Sequence, residues 1–371
     1  MREYRVLGIM TGSSLDGVDL AYCILREDQQ RWSYEIVTAE CVPFPPLWKQ
    51  RLLNLVLQNA VNYLKADAHF GHYLGETARR FILQNQLEDK IDFIASHGQT
   101  IFHQPENQMT SQIGDGAAIV AETGYPVICN FRTLDVALGG QGTPMAPIID
   151  KMFFPEYKFC LNLGGIANIS LKKNGRMIGY DICGANMVLN MLCASVGLDL
   201  DKDGEIARSG SVNLQVMEEL NAQWYYDKPY PKSIGGGWVT KVFLPVFRKY
   251  RLKLEDALCT ATEHIAAQIG KDIKKIYITE GMELRDDDSM LITGGGVFNK
   301  FLLERINQHV PVSVVVADAQ TSKFKEALLV ALMGVLRLRG EPNMLASVTG
   351  AREDSCGGEI YQSLHRPLRG A

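Results

Sequence analysis

The chain has no run of about 18 apolar residues, so no membrane-spanning helix is expected. It has no Cys-x-x-Cys. Its eight cysteines are scattered, and their spacings suit neither a disulfide framework nor a zinc site. Reduced, mostly buried thiols in a cytoplasmic protein are expected. Charge of one sign is also lacking: the formal net charge is -4, which gives no reason to expect a nucleic-acid partner. Met1 to Arg5 leads at once into a strand pattern, without the apolar core and small-residue cleavage site of a signal peptide. No Walker A Gly-Lys-Ser/Thr and no Rossmann Gly-x-Gly-x-x-Gly stands where those motifs work. What remains is an ordinary globular composition, 46% hydrophobic and 22% charged, over 371 residues. That length accommodates two domains of about 150 residues each.

Tyr4–Ile9 and Val18–Leu25 read as a strand pair around an enlarged polar tip, Thr11 to Gly17. Helix-period apolar residues run through Pro45–Ala60 and Phe70–Gln86. Short strands follow at Ile91–Ser96 and Val127–Asn130, with a short helix at Ala117–Thr123 between them. After an irregular loop, Ala137 to Pro144, the pattern restarts as strand (Phe159–Leu163), glycine turn, strand (Ala167–Leu171). Asn174-Gly175 then signals a hairpin into a third strand, Met177–Asp181. Helices are expected at Met187–Val196, Leu254–Tyr277, Lys300–His309 and Glu326–Arg339, and strands at Ser289–Thr293 and Val312–Ala317. The restart is a weak internal repeat of architecture. No low-complexity linker marks the boundary, which topology places near residue 130, with the tail returning to the first lobe.

Three glycine-rich turns each follow a strand: Thr11 to Gly17, Asn162 to Asn168 around Gly164-Gly165, and Gly294-Gly295-Gly296. Phosphates need close backbone approach and free N–H donors, which glycine permits. Any one of these turns is more simply a turn; their recurrence points to a nucleotide. The first adds hydroxyls at Thr11, Ser13 and Ser14, and carboxylates at Asp16 and Asp19, of which Asp16 is the candidate Mg²⁺ ligand. Asp181, at a strand end, is the acid–base candidate; the competing reading is an N-cap for the following helix. Arg132 could grip a substrate carboxylate or join a surface ion pair.

These residues resemble the anhydro-N-acetylmuramic acid kinase family. Gly8 to Asp19 resembles its opening signature. Ser96 to Thr100, Gln112 to Asp115, Phe131-Arg132, Ala137 to Pro144, Leu161 to Ser170, Gly179 to Asp181, Gly294 to Gly296 with Asn299, and Ser347 to Ala351 follow in the family's order. The resemblance covers essentially the whole chain. It implies an α/β, two-lobed actin-like ATPase (ribonuclease H-like) fold with a central interlobe cleft, with lobes at residues 1–129 plus 342–371 and 130–341. It implies a Mg-ATP-dependent reaction that opens a 1,6-anhydro ring with water and phosphorylates the 6-oxygen, giving N-acetylmuramic acid 6-phosphate in cell-wall recycling. A cytoplasmic homodimer with no membrane partner is implied too.

By the same resemblance Asp181 activates the water. ATP is held by Gly12, Ser13, Ser14, Leu15, Asp16, Gly17, Val18, Asp19, Gly164, Gly165, Gly294, Gly295, Gly296 and Asn299. The sugar is held by His97, Gln99, Asp115, Arg132, Gln141, Asn186 and Glu326. The chain departs from the family pattern at four places. Asp-Thr-Gly-Pro-Gly-Asn is here Asp181-Ile182-Cys183-Gly184-Ala185-Asn186. Lys-Ser-Thr-Gly-Arg-Glu is Lys232-Ser233-Ile234-Gly235-Gly236-Gly237. The aspartate of Gly-Asp-Phe-Arg is Asn130, and Lys323 and Lys325 stand where the family tends to be acidic. These departures leave open a non-catalytic or altered-specificity descendant, or a kinase of another sugar.

Overall fold

The computed structural model describes residues 1–12, 15–234, 236–363, 366 and 368. In chain order its strands are β1 (Arg2–Thr11), β2 (Gly17–Asp28), β3 (Arg31–Pro43), β4 (Phe93–Ser96), β5 (Gln99–Gln104), β6 (Met109–Ile113), β7 (Val127–Cys129), β8 (Phe159–Leu163), β9 (Ile166–Lys173), β10 (Arg176–Gly184), β11 (Ser289–Thr293), β12 (Ser313–Val316) and β13 (Glu359–Tyr361).

The chain divides into two compact units, Met1–Phe154 with Phe324–Ala371, and Pro155–Lys323. In the first, the sheet order is β13-β7-β4-β1-β2-β3. β1, β2 and β3 form an antiparallel meander, and β4 and β7 add in parallel beside β1. In the second, the order is β10-β9-β8-β11-β12, again an antiparallel meander with two parallel strands added beside its first member. The internal repeat expected from the restart at Phe159 is therefore a repeat of strand order, and the class is α/β in both units.

The unit boundaries differ from the 129/130 and 341/342 anticipated from the pattern. Residues 130–154 stay with the first unit because their side chains are engaged there: Phe153 packs on Tyr34 of β3, with ring centroids 4.8 Å apart, and Asp135 accepts a hydrogen bond from Thr349 at 2.8 Å. The helix Ala319–Arg339 joins the same unit from Phe324 onward. Its apolar residues, Leu328 to Leu336, are at most 4% exposed, and it presses directly on the sheet. A Cβ on Gly8 of β1 would lie 2.1 Å from the Ala327 carbonyl oxygen, and one on Gly334 would lie 2.8 Å from the Phe93 ring. Gly8→Ala is accordingly expected to destabilise the protein by at least about 1–3 kcal/mol, because rigid backbone rather than a side-chain tip is in the way. Urea unfolding measures this; an unchanged midpoint would mean that the helix is not seated there.

β1 is central and buried on both faces from Val6 on, which is why it reads as a continuous apolar run. β3 lies at the sheet edge with mostly half-exposed or exposed residues, so no clear alternation announces it. The helix Ala60–Gln84 begins earlier than expected: Asn59 caps it by accepting the Asn62 N–H at 2.9 Å. Its first turns leave Val61 and Leu64 exposed and so carry no apolar stripe. At Asn174-Gly175 both residues have positive φ, 49° and 79°, as a two-residue hairpin turn requires.

In the second unit the helix Leu254–Thr279 buries Leu258, Ile265, Ile269, Ile273 and Ile276 at helical spacing. Asp272 is buried on the same helix. Among the described residues no helix is long and apolar enough to cross a membrane. Six of the eight cysteines are buried, and Cys41 and Cys356 are half-buried.

Candidate active site

In the first unit, the β1–β2 hairpin carries the first glycine turn. Thr11 pairs with Val18, and Met10 with Asp19. Thr11 Oγ1 donates to the Gly98 carbonyl at 2.8 Å, which ties the turn to the Ser96–Thr100 motif. Leu15 has φ 56°, and its N–H donates to the Gly12 carbonyl at 3.2 Å. Gly17 is required by close approach: a Cβ there would lie 2.3 Å from the Val42 carbonyl oxygen. Asp16 is exposed at the tip, while Val18 is buried. Ser13 and Ser14 lie outside the described residues.

Glu326, on the helix Ala319–Arg339, faces Asp19. The residue is exposed as a whole, but its carboxyl is surrounded by protein atoms. Desolvation holds it above the usual range, the Asp19 carboxylate adds to this, and Lys325 opposes. Lys325 is itself buried against Asp150, Nζ to Oδ1 2.6 Å, so this departure from the family pattern is a neutralised core pair. Among the described residues no three His, Cys, Asp or Glu side chains converge to hold a metal ion. Mg²⁺ bound to a nucleotide normally takes only one or two protein carboxylates. Asp16 and Asp19, on the hairpin of the first glycine turn, with Glu326 facing Asp19, are carboxylates that could approach such an ion.

Beside the hairpin, Ser96 Oγ, His97 Nε2, Gln99 Oε1 and Gln112 Oε1 are buried without a hydrogen-bond partner. Buried polar atoms are rarely left so; of these residues His97 and Gln112 border a polar pocket. His97 Nδ1 lies 2.8 Å from the Gly98 carbonyl; burial and then the Arg132 charge push its pKa down to about 4, so the ring is neutral. His97 and Asp115 line a polar pocket of about 290 Å³ with Asp67, Gln112, Asn130 and Glu359. Asp115 also caps the helix Gly116–Thr123, accepting the Ala117 N–H at 2.8 Å. Asn130 donates to Glu359 Oε1 at 2.7 Å, a bond that an ionised aspartate at this position could not make.

Arg132 is 7% exposed. Its guanidinium donates to the Gly142 carbonyl at 2.8 Å and Thr100 Oγ1 at 3.1 Å, and touches the His103 ring at 3.2 Å. All three partners are uncharged, since burial and Arg132 itself push His103 down to about 4. No carboxylate of the described residues lies within ion-pair distance, and burial lowers the Arg132 pKa to about 10, with Asp135 opposing. A buried cation that is offset only by Asp135 from beyond ion-pair distance is costly and favours an incoming anion. The loop at Gly139–Pro144 is pinned by a residue that sequence reading missed: Asp135 accepts from the Gly142 N–H and Thr349 Oγ1, both at 2.8 Å. The Gln141 N–H donates to the Thr349 carbonyl at 2.9 Å, and its side chain is exposed.

In the second unit the other two glycine turns meet. A Cβ on Gly294 would lie 2.6 Å from Asn162 Oδ1, and one on Gly296 2.6 Å from Leu163 Cβ. Gly164, Gly165 and Gly295 have no neighbour closer than 3.5 Å to such a Cβ, so these three glycines leave an uncrowded strip of backbone of the kind a nucleotide can approach. Asn186 closes the group: its N–H donates to the Gly164 carbonyl at 3.2 Å and its Nδ2 to the Leu163 carbonyl at 3.1 Å. Within its unit Asn186 thus sits with the two glycine turns expected to take ATP. Asn299 is the N-cap of the helix Lys300–His309, accepting the Leu302 N–H at 2.9 Å.

Asp181 lies on β10 next to a bulge: Asp181 faces Asn168 and Cys183 faces Ala167, leaving Ile182 as the extra residue. Bulges re-aim side chains beside functional sites. The N-cap reading is excluded, because the next helix, Asn186–Ala194, has Ala185 at its N-cap. Asp181 Oδ2 accepts the Ile234 N–H at 2.8 Å. Desolvation raises the carboxyl pKa to about 6, against the lowering effects of that N–H and of Lys232. A backbone N–H makes the Ile234 bond, so isoleucine in place of the family's threonine leaves it intact. Ile182, Cys183 and Ala185 are fully buried, which makes these departures core substitutions. Gly235 lies outside the described residues. Tyr225, which donates to the Asp181 carbonyl, and Asp272, which pairs with Lys232, carry no motif; the available signal was a lone acid on the apolar face of the helix Leu254–Thr279.

The family model described as anhydro-N-acetylmuramic acid kinase matches residues 4–363. The anhydro-N-acetylmuramic acid kinase of Sulfurimonas denitrificans is 32% identical over 98% of this chain and 100% of its own. That of Vibrio cholerae is 33% identical over 96% and 97%. Among solved structures, the activator of the 2-hydroxyisocaproyl-CoA dehydratase from Clostridium difficile covers 88% of this chain and 93% of its own, at 13% identity and a TM-score of 0.43, a likeness too distant to bear on the site. With its glycine turns, its Asp181 and its full-length match to these relatives, the chain belongs to the anhydro-N-acetylmuramic acid kinase family.

Proposed function

We propose that this chain is an ATP-dependent anhydro-N-acetylmuramic acid kinase in which Asp181 is the general base. The observation that carries the assignment of the base is the Asp181 carboxyl, fixed by the Ile234 N–H and titrating at about 6. It is ionised at neutral pH yet close enough to neutrality to take a proton, as a general base must. Water attacks the anomeric carbon of the 1,6-anhydro-sugar and gives its proton to Asp181. The bond from that carbon to the 6-oxygen breaks, and the freed 6-oxygen takes the γ-phosphoryl group of ATP. The products are N-acetylmuramic acid 6-phosphate and ADP, and Asp181 returns the proton to solvent.

Arg132 holds the lactyl carboxylate, with His97 and Gln99 beside it for sugar hydroxyls. Gly12 to Asp19 and the backbone at Gly164, Gly165 and Gly295 hold the phosphates and nucleoside; Asp16 or Asp19 would hold a nucleotide-borne Mg²⁺, which would supply screening of phosphate charge. A homodimer working in the cytoplasm, in recycling of cell-wall sugar, accords with the family.

ADP release measured with the 1,6-anhydro-sugar, ATP and Mg²⁺ tests the assignment. Sugar-dependent ADP and a 6-phosphorylated product are expected; no ADP above background from folded protein would leave a binding-only descendant as the better reading.

A further inference from the structure

The buried groups behind Asp181 form a support that the proposed reaction does not itself use. Lys232 is 6% exposed. Its Nζ lies 3.8 Å from Asp272 Oδ2, 4.8 Å from the centre of the Tyr225 ring and 5.3 Å from that of Tyr180. Tyr180 in turn stacks on Tyr230, with centroids 5.1 Å apart. An ammonium ion is rarely buried unless paired, and ring faces attract it, so Lys232 has a well-defined seat.

That seat fixes the backbone beside the free edge of β10. The Lys232 carbonyl accepts the Asp181 N–H at 3.3 Å. Two residues on, the Ile234 N–H donates to Asp181 Oδ2 at 2.8 Å. The Tyr225 hydroxyl, from the ring that carries Lys232, donates to the Asp181 carbonyl at 2.7 Å. Main chain and carboxylate of Asp181 are thus both gripped by the segment and the ring that Lys232 anchors.

We propose that Lys232, seated against Asp272, Tyr180 and Tyr225, is a positioning residue that fixes the orientation and charge environment of the Asp181 carboxylate. The role presupposes Asp181 as the base. Burial pushes the Lys232 ammonium down and the Asp272 carboxyl up, and each opposes the shift of the other. The ionisable groups that act on Asp181 or feel its charge are Lys232 on the covering segment, Tyr225 on the turn Trp224–Asp227 and Cys183 on its own strand, while Asp272 on the helix Leu254–Thr279 acts on those three. Of these only Lys232 carries positive charge, so its loss and the loosening of the Ile234 N–H act in the same direction.

The test replaces both members of the buried pair, Lys232→Met with Asp272→Asn, so that neither charge is left alone. Titration of the Asp181 carboxyl is followed by ¹³C NMR in aspartate-labelled protein, the resonance being assigned by its loss in Asp181→Asn. The midpoint is expected to rise by about 1 unit, because Lys232 and the Ile234 N–H both lower the Asp181 carboxyl whereas Asp272 is not among the groups that shift it. Turnover is expected to fall on the order of 10²-fold, as for a catalytic group displaced by about 1 Å, with KM for ATP unchanged. A midpoint within about 0.2 unit of wild type, well below the shift such a cation gives, overturns the proposal whatever happens to turnover. If the double variant does not fold, Lys232→Gln alone, which removes the cation and leaves Asp272 with a carboxyl already raised by burial, is judged by the same midpoint. The titration needs no substrate. Failure of the wild type to phosphorylate the anhydro-sugar would sink the functional reading without deciding this one.

Discussion

Asp181→Asn is expected to lower sugar-dependent turnover by about 10²–10⁴-fold, the usual contribution of a general base, while raising the melting temperature. Both effects have one cause. The carboxyl has an ordinary pKa of 3.8, and desolvation raises it to about 6 in the fold. A folded pKa above the unfolded one means that the folded state binds the proton more tightly. The stability this supplies is fully present below pH 3.8 and is lost as pH rises through about 6. At neutral pH the protein therefore holds a carboxylate that the unfolded chain solvates better. Asparagine keeps an oxygen for the Ile234 N–H and removes the charge, so a gain of roughly 1–3 kcal/mol is expected. For the wild type, kcat/KM should fall tenfold per pH unit below about 6. Thermal melts at neutral pH, beside the activity assay, check the pair. Loss of turnover with an unchanged or lower melting temperature would show that the carboxylate is not desolvated as described.

Arg132→Met is expected to raise KM for the sugar by about 10- to 150-fold, corresponding to about 1.5–3 kcal/mol for a charged hydrogen bond, with KM for ATP unaltered. Arg132 is buried, its donors end on neutral acceptors, and no carboxylate of the described residues forms a direct ion pair with it, Asp135 acting only from farther away. A substrate carboxylate would be the missing counter-charge. Methionine has similar reach without the charge, so packing is largely kept. The decisive comparison uses a 1,6-anhydro-sugar lacking the lactyl group. Wild type should discriminate strongly against it and Arg132→Met should not, because the two deletions remove one interaction and their costs do not add. Equal discrimination by both proteins would place the carboxylate elsewhere.

The strands and helices that carry the glycine turns were legible because their local chemistry agrees with their place. β1 and β8 are central strands with apolar runs, Asn174-Gly175 is a turn that needs positive φ, and the helix Lys300–His309 has its own cap in Asn299. β3, β5 and β6 were not legible. β3 is an edge with little burial, and β5 and β6 pair only with each other, so neither leaves a strong apolar pattern. The boundary estimate failed for a related reason. The pattern marks where an element begins, but the Phe153–Tyr34 contact and the Gly8–Ala327 approach that assign residues 130–154 and 324–341 to the first unit link positions far apart in the chain.

Sequence alone determined the kinds of chemistry available: three glycine turns that admit phosphate, a carboxylate on the strand after Asn174-Gly175 and an arginine after β7; that this strand runs past Asp181 to Gly184 through a bulge came from the fold. Tertiary structure decided what those groups are. It left Arg132 among neutral partners, joined Gly164 to Gly295 through Asn186, and lifted the Asp181 pKa by desolvation. It also supplied Lys232, Asp272 and Tyr225 behind Asp181, residues from three separated elements. A residue's type is local and can be read along the chain. Its charge state and its partners depend on which distant segments exclude water around it, and only the folded chain specifies that.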